Sequence, residues 1–190
     1  DEVNMVADVN LLAIKTASGY YYSLEDGHYY GVSGSVAGTF DAAVTQATTF
    51  SVAGQTGYLG TPSTPTSGRI AMALAQVAYD ASGQQDDYIF AGFKQTSLGT
   101  EPAGNFFWVT GPEAGTPFNG AWASGEPNNG SGAEHYGSVH RSGGFNDLPF
   151  TRSTTRSLLE FGTSALPTPT ELNAALSTYA DPGNALAFID

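Results

Sequence analysis

Residues 111–147 read GPEAGTPFNGAWASGEPNNGSGAEHYGSVHRSGGFND, and the interpretation of the whole chain depends on this segment. It is rich in glycine, proline, asparagine and serine, and only residues 135–141 have the character of a strand. Loops longer than about 12–15 residues are uncommon in compact domains unless they serve a function or are disordered. The segment is therefore the first place to look for a binding site.

This segment carries an unusual concentration of side-chain oxygen donors and contains no lysine. The donors of interest are Glu126, Asn128, Glu134, Asn146 and Asp147. Calcium takes six to eight oxygen ligands from carboxylates, amides and water, whereas zinc prefers histidine or cysteine and Mg²⁺ keeps more of its water. The pattern favours calcium. Asparagine and aspartate also form turns, so the residues alone leave a purely structural loop open.

Composition excludes several classes of function. The 190 residues, enough for one domain with appendages, include 18 acidic and 6 basic side chains, and the net charge is −12. A chain this acidic lacks the basic footprint that nucleic acid or an anionic membrane surface requires. There is no cysteine, which removes disulfides, thiolate zinc sites and cysteine nucleophiles. No apolar run reaches the roughly 20 residues of a spanning helix, so we expect no membrane insertion.

Apolar periodicity predicts two helices followed by strands. The first helix covers 39–50 behind Thr39, which can act as its N-cap. The second covers 67–79 and includes Val77 in its apolar stripe. A short third helix is predicted over 170–179, before Asp-Pro-Gly. Strands are predicted over 88–93, 105–110, 135–141 and 156–161. This segregation of helices and strands predicts an α+β fold.

Short motifs of the chain, taken in order, resemble those of C-type lectin-like domains. They are Thr39-Phe40-Asp41-Ala42-Ala43, Ile89-Phe90-Ala91-Gly92-Phe93, Gly125-Glu126-Pro127-Asn128-Asn129, Glu134-His135-Tyr136, Phe145-Asn146-Asp147-Leu148-Pro149 and Leu158-Leu159-Glu160-Phe161-Gly162. The match is specific because Glu-Pro-Asn and Asn-Asp occur together, in order and at plausible spacing. The resemblance spans about residues 27–162. It implies a C-type lectin-like fold with two helices, antiparallel sheets and a long calcium-binding loop.

The resemblance also implies a calcium site in which the bond before Pro127 is cis. The implied Ca²⁺ ligands are the side chains of Glu126, Asn128, Glu134, Asn146 and Asp147, with the backbone carbonyl of Asp147. The residues expected to contact the bound ligand are Glu126, Asn128, Glu134, Asn146 and Tyr136. The Glu-Pro-Asn form resembles that of the mannose-, glucose- and fucose-selective members.

Departures from the family pattern carry expectations of their own. Phe145 stands where tryptophan is common, and we expect the aromatic exchange to keep this core anchor. Lys94 and Gln95 follow the core strand, where an acidic residue would serve a second calcium, so we expect that second site to be absent or rebuilt. Trp108 and Trp122 are expected in the core. Glu113 is expected to accept hydrogen bonds that organise the loop, and the three histidines are too scattered to predict a metal site.

We expect residues 1–26 to form a strand extension, 27–162 the lectin-like domain, and 163–190 a linker and short helix packed on the same domain. The expected function is calcium-dependent ligand binding by an extracellular module, monomeric within a larger bacterial surface adhesin. Its expected ligand is the C-terminal carboxylate of a surface-protein peptide or a cell-surface glycan diol. The alternative is a non-catalytic structural spacer stiffened by calcium. An enzyme is disfavoured, because the formylglycine-generating members of this fold use cysteines.

Overall fold

The computed structural model describes residues 19–97, 104–152 and 155–162, together with the backbone of Ala13–Lys15. The predicted linker and helix after residue 162 lie outside the described residues, as does most of the predicted N-terminal extension. Within the described residues, no helix has both the length and the apolar character needed to cross a membrane.

Two helices form close to where the sequence predicts them. Helix α1 (Phe40–Ala47) is capped by Thr39, whose hydroxyl accepts a hydrogen bond from the Ala42 backbone at 3.1 Å, which confirms the predicted N-cap. Helix α2 (Pro65–Ala81) begins two residues earlier than predicted. Thr64 caps it in a reciprocal capping box with Ser67. Pro65 stands at the first helical position, where a backbone N–H would have no acceptor inside the helix, so the missing N–H of proline costs no hydrogen bond.

The buried face of α2 differs from the prediction at one position. Ile70, Leu74 and Ala78 are buried, four residues apart, but Val77 remains 44% exposed. The prediction that Val77 belongs to the buried stripe is wrong. Ala71, on the side of the helix away from Val77, is also fully buried. The buried face is therefore centred between Ala71 and the row of Ile70, Leu74 and Ala78, and Val77 lies at its edge.

The strands are short, and most of them join one mixed sheet. They are β1 (Ala13–Lys15), β2 (Tyr21–Ser23), β3 (Tyr29–Val32), β4 (Gly38–Thr39), β5 (Ser51–Val52), β6 (Gln55–Thr56), β7 (Tyr58–Leu59), β8 (Tyr88–Gln95), β9 (Phe106–Trp108), β10 (Glu134–His140), β11 (Phe145–Pro149), β12 (Thr151–Arg152) and β13 (Arg156–Phe161). The main order is β1-β2-β3-β13-β8-β10-β11, with β7 on β13 and β9 on β8. Strands β4 and β12 form a separate pair, as do β5 and β6. Two helices with mainly antiparallel sheets confirm the predicted α+β class.

The sheet lies between the two helices. Along β8, Phe90 joins the buried cluster that contains α1, while Ile89, Ala91 and Phe93 join the cluster that contains α2. Successive side chains of a strand point to opposite faces, so this alternation places one helix on each side. The central contact of β13 with β8 is parallel, with Arg156 opposite Ile89.

An aromatic cluster fills the core beneath the long segment. Trp108 is 1% exposed, and the Phe145 ring lies 5.7 Å from that of Phe93 and 6.3 Å from that of Trp108. Trp122 is partly buried, with its ring 5.7 Å from Phe93. These contacts confirm that Phe145 keeps the core anchor and that both tryptophans pack on the core.

Candidate functional site

Backbone hydrogen bonds fasten the long segment between β9 and β10 to the domain. The Phe118 N–H donates to the Phe106 carbonyl at 2.9 Å, and the Ala123 N–H donates to the Phe145 carbonyl at 2.8 Å. The Thr61 hydroxyl donates to Glu113 at 2.6 Å, which confirms Glu113 as a loop-organising acceptor. The segment is thus held on a rigid scaffold despite its loop-like composition.

The Glu-Pro-Asn stretch presents two predicted calcium ligands side by side. The Glu126–Pro127 bond is cis, as the family resemblance implies. The Asn128 amide donates from Nδ2 to Glu126 Oε1 at 2.9 Å, so its Oδ1 is left to accept or to coordinate. The Asn128 backbone N–H donates to the Asp147 carboxylate at 3.2 Å. Three of the five predicted ligands are therefore mutual neighbours.

A tight turn brings Glu134 to the same place. The Gly130 N–H donates to Glu134 Oε2 at 2.7 Å, and the Glu134 N–H donates to Asn129 Oδ1 at 3.1 Å. Asn129 has a left-handed backbone conformation with φ of 48°, which asparagine tolerates better than most residues. The Asn129 N–H also bonds Asp147 at 2.9 Å. Asn129 thus organises the turn between Asn128 and Glu134. This role was not predicted from the sequence, although an asparagine before a glycine is a recognisable turn signal.

Asn146 and Asp147 reach the site from β11. Pairing with β10 sets Asn146 opposite Ser138 and Asp147 opposite Gly137. Asn146 is 5% exposed and Asp147 is fully buried. The Asn146 amide donates to the Asp147 carbonyl at 2.6 Å, and the second lone pair of that oxygen could still coordinate an ion.

Among the described residues, the carboxylates of the site form no ion pair with a basic side chain. Glu126 Oε2 is buried and has no hydrogen-bond partner among the described residues, an arrangement that is costly for a carboxylate. Burial raises the pKa of Glu126, and the neighbouring Asp147 carboxylate raises it further. Burial and Asp147 likewise raise the pKa of Glu134, against the opposing hydrogen bond from Gly130. A hard dication bound between these oxygens would remove this imbalance.

The donor set suits calcium better than zinc. In the described part of the chain, no three histidine and acidic side chains form a ready-made metal cluster by themselves. Amides supply two of the five predicted donors, and both amide and carboxylate oxygens are ligands that calcium accepts. The residues therefore fit calcium, with Glu126, Asn128, Glu134, Asn146 and Asp147 as the side chains that would hold it.

Gly130 gives a specific test of this arrangement. A Cβ at this position would lie 2.5 Å from Glu134 Oε2 and 3.2 Å from Asn128 Oδ1. We expect Gly130→Ala to displace the Glu134 carboxylate and to weaken calcium binding about tenfold or more, the usual effect of disturbing the groups that orient metal ligands.

Calorimetric titration with calcium would measure this change, and Gly34→Ala is the matched control. A Cβ at Gly34 would meet nothing within 4 Å, so calcium affinity should stay at the wild-type value. Equal calcium affinity in Gly130→Ala and wild type would contradict the placement of Glu134 in the site.

The remaining predicted residues have partners of their own. The Tyr136 ring is half-buried and packs 5.0 Å from that of Phe40 and 5.3 Å from that of Phe150, so ligand contact by Tyr136 stays a prediction. The Gln95 amide bonds His135 at 2.9 Å. His28 bonds Glu160 in the buried interior.

Comparison with known sequences gives one partial match. No family model matches the chain. Halomucin from Haloquadratum walsbyi is 37% identical to this chain over 130 residues, which is 60% of this chain and 1% of that protein. The chain therefore spans only a very small part of the curated relative that it matches.

Comparison with solved structures gives consistent matches over most of the chain. CEL-IV matches with a TM-score of 0.55 and 18% identity, over 76% of this chain and 92% of its own. Human lithostathine matches with a TM-score of 0.53 and 15% identity, over 72% of this chain and 92% of its own. The C-type lectin CEL-I from Cucumaria echinata matches with a TM-score of 0.50 and 18% identity, over 71% of this chain and 90% of its own. At these identities the likeness concerns the fold alone, and the described part of this chain has the C-type lectin-like fold.

Proposed function

We propose that this chain is a calcium-dependent ligand-binding module of an extracellular surface adhesin. The observation that carries the proposal is the buried Oε2 of Glu126, which has no hydrogen-bond partner in the part of the chain that the structure describes and lies beside the Asp147 carboxylate in a predicted calcium site. A bound Ca²⁺ would supply positive charge and open coordination positions for oxygen atoms of a ligand.

The side chains around the ion have a second role in this proposal. Asn128 can donate hydrogen bonds, whereas Glu126 and Glu134 can accept them, so the same residues can hold the ion and orient a ligand. A glycan diol offers both hydroxyl donors and oxygen ligands. The terminal carboxylate of a peptide offers two hard oxygen atoms and a negative charge.

The comparisons support a binding role more than a catalytic one. The matching structures include C-type lectins, and the fold suggests carbohydrate binding in general. The Halomucin match, over 1% of that protein, accords with a small module inside a much longer chain. The bacterial origin and the adhesin role belong to the proposal.

One binding experiment separates the two ligand chemistries. We expect binding to a glycan array or to a library of peptides with free C termini, and in both cases only when calcium is present. If a peptide carboxylate is bound, amidation should weaken binding at least tenfold, because it removes the charge and one metal-binding oxygen. If a diol is bound, amidation has no effect and mannose or fucose should compete.

The spacer hypothesis predicts a different result. A module that binds calcium but no member of either library would be a structural spacer stiffened by the ion. Ligand binding that is unchanged in EDTA would contradict the calcium-dependent mechanism.

A further inference from the structure

Two carboxyl groups contact one buried tyrosine hydroxyl beside the turn between β2 and β3. The Tyr30 oxygen lies 2.9 Å from Asp26 Oδ2 and 2.9 Å from Glu160 Oε1, and both distances are those of hydrogen bonds. A hydroxyl group has one proton, so Tyr30 can donate to only one of these oxygen atoms. The other contact needs a second proton, which one of the two carboxyl groups must carry. The geometry therefore requires a proton held on Asp26 or Glu160.

Asp26 is better suited than Glu160 to carry this proton. Glu160 accepts from the Thr61 backbone N–H at 2.5 Å and lies 2.6 Å from His28 Nδ1, and N–H groups so placed favour a charged carboxylate. Asp26 accepts from the His28 backbone N–H at 3.0 Å through Oδ1, which leaves Oδ2 for Tyr30. Burial raises the pKa of Asp26, and the nearby Glu160 raises it further, against the hydrogen bond from the His28 backbone.

The surroundings of Asp26 offer it little positive charge. The titratable groups that face Asp26 or its partners are His28 and Tyr30 at β3, Tyr58 of β7, Glu113 of the long segment, Glu160 of β13, and Glu25 with Arg69 near the start of α2. Of these, His28 and Arg69 can be positively charged, but His28 already contacts Glu160, and Arg69 is exposed. A neutral Asp26 avoids a second buried carboxylate that no cation would balance.

These contacts join three separate parts of the fold. Asp26 lies in the turn between β2 and β3, Tyr30 lies in β3, and Glu160 lies in the central strand β13. Thr61 extends the contacts to the long segment, because its backbone N–H bonds Glu160 and its hydroxyl donates to Glu113 at 2.6 Å. Loss of the proton on Asp26 would set two carboxylates against one hydroxyl proton, and their repulsion would weaken the attachment of the turn to β13.

We propose that Asp26 is a neutral acid in the folded domain and donates its proton to Tyr30, so that the Asp26–Tyr30–Glu160 chain is a proton-dependent link between the β2–β3 turn and the central strand. The link is complete while Asp26 keeps its proton and weakens when the proton is lost. This inference lies outside the proposed function, because none of its groups belongs to the candidate calcium site.

The direction of the pH effect follows from which state holds the proton more tightly. In the unfolded chain, Asp26 loses its proton near the ordinary aspartate pKa of about 3.9. The folded domain keeps the proton to a higher pH, so the link contributes its full stability below that ordinary value and loses it as the pH rises through the raised pKa. Between these two pKa values, this group raises the equilibrium constant of unfolding by about tenfold for each pH unit.

The test compares urea denaturation of the wild type and of Asp26→Asn from about pH 4 to about pH 9. Asparagine has the shape of the neutral acid, since its oxygen can accept from His28 while its amide donates to Tyr30. We expect the ratio of the wild-type to the Asp26→Asn unfolding constant to rise about tenfold or more over this range. The variant should be the more stable protein at the alkaline end.

Carboxyl ¹³C NMR of the wild type gives an independent readout, with the Asp26 signal assigned from its loss in Asp26→Asn. We expect this signal to remain that of a protonated acid at a pH where exposed aspartates are ionised.

Glu25→Gln is the matched control, because it removes a negative charge from the same turn. Glu25 accepts from the Thr66 backbone N–H at 3.0 Å, and hydrogen bonding to Thr66 lowers the pKa of Glu25. Its contribution to stability is present above the ordinary glutamate pKa, which is the opposite of the effect expected for Asp26. We expect Glu25→Gln to be less stable than the wild type at neutral pH, with no gain at the alkaline end.

Two results would overturn the proposal. One is an Asp26 signal that titrates together with the exposed aspartates, and the other is a ratio of the wild-type to the Asp26→Asn unfolding constant that does not change with pH. A Glu160 signal that stays protonated while Asp26 is ionised would overturn the placement of the proton on Asp26. None of these measurements uses calcium or a ligand, so failure of the proposed function would leave them unaffected.

Discussion

Replacing Asn128 by alanine is expected to abolish calcium-dependent ligand binding and to change the free energy of unfolding by less than about 0.5 kcal/mol. The Asn128 side chain is exposed, so its loss creates no buried cavity. Its amide donates to Glu126, and its Oδ1 is turned toward Gly130, next to Glu134. The change therefore removes one expected calcium ligand and the group that orients a second.

Calcium titration and ligand binding should separate the two roles of this amide. We expect calcium affinity to fall about tenfold or more in Asn128→Ala, since the number of ligands sets the affinity of such sites. Asn128→Asp keeps an oxygen on the ion but cannot donate a hydrogen bond. It should therefore retain calcium and still bind ligand poorly.

Gln76→Ala is the matched control for Asn128→Ala. It also removes a side-chain amide, one that bonds Asp80 on the far helix α2. We expect wild-type calcium and ligand affinity from this control. Full ligand binding by Asn128→Ala in the presence of EDTA would show that the ligand is bound elsewhere.

Asp147 is a less suitable position for this experiment than its predicted role suggests. Its carboxylate is fully buried and accepts the backbone N–H groups of Asn128 and Asn129 at 3.2 and 2.9 Å. Removing it would leave both donors without this partner and would disturb the turn itself. An effect on calcium would then be mixed with an effect on folding.

Local signals in the sequence predict the elements that local interactions form. Thr39 caps α1 because a threonine hydroxyl can reach the third backbone N–H of a helix, and this geometry depends on neighbouring residues only. The strand predicted over 135–141 appears as β10, shifted by one residue. The five predicted calcium ligands could be named because each lies in a short motif of a known family.

Contacts between distant parts of the chain could not be predicted in this way. His28 and Glu160 bond across 132 positions of the sequence, and Arg141 and Asp87 across 54. These pairs depend on the order and register of strands, which no periodicity in a single segment specifies. The same limitation explains why Glu160, read only as part of a closing strand, received no role in the sequence analysis.

Glu160 organises a polar cluster inside the sheet. Its side chain is fully buried, and Oε1 lies 2.6 Å from His28 Nδ1 and accepts from the Tyr30 hydroxyl at 2.9 Å. The other oxygen accepts from the Thr61 backbone N–H at 2.5 Å and lies 3.2 Å from the Thr61 hydroxyl, whose proton goes to the closer Glu113. One carboxylate thus joins the region before β3, β3 itself and the segment after β7 to the central strand β13.

Glu160→Ala is expected to lower the free energy of unfolding by about 3–5 kcal/mol, because a buried carboxylate that several donors share is removed. The loss is large because three donors keep their places in the interior without an acceptor, and a cavity remains where the side chain was. Urea denaturation would measure it, with the midpoint reduced and the slope little changed.

Two further variants show that the cost comes from the buried hydrogen bonds. Glu160→Gln keeps the shape and one acceptor oxygen for Thr61, and a neutral His28 can accept from the new amide, so we expect a loss of only about 1–2 kcal/mol. Asp87→Ala removes a carboxylate from the solvent-exposed pair with Arg141 and should cost less than about 1 kcal/mol, because water and salt weaken exposed pairs. Equal destabilisation by Glu160→Ala and Asp87→Ala would show that the buried cluster contributes no more than a surface ion pair, and the interior of the fold would then have to be held by apolar packing alone.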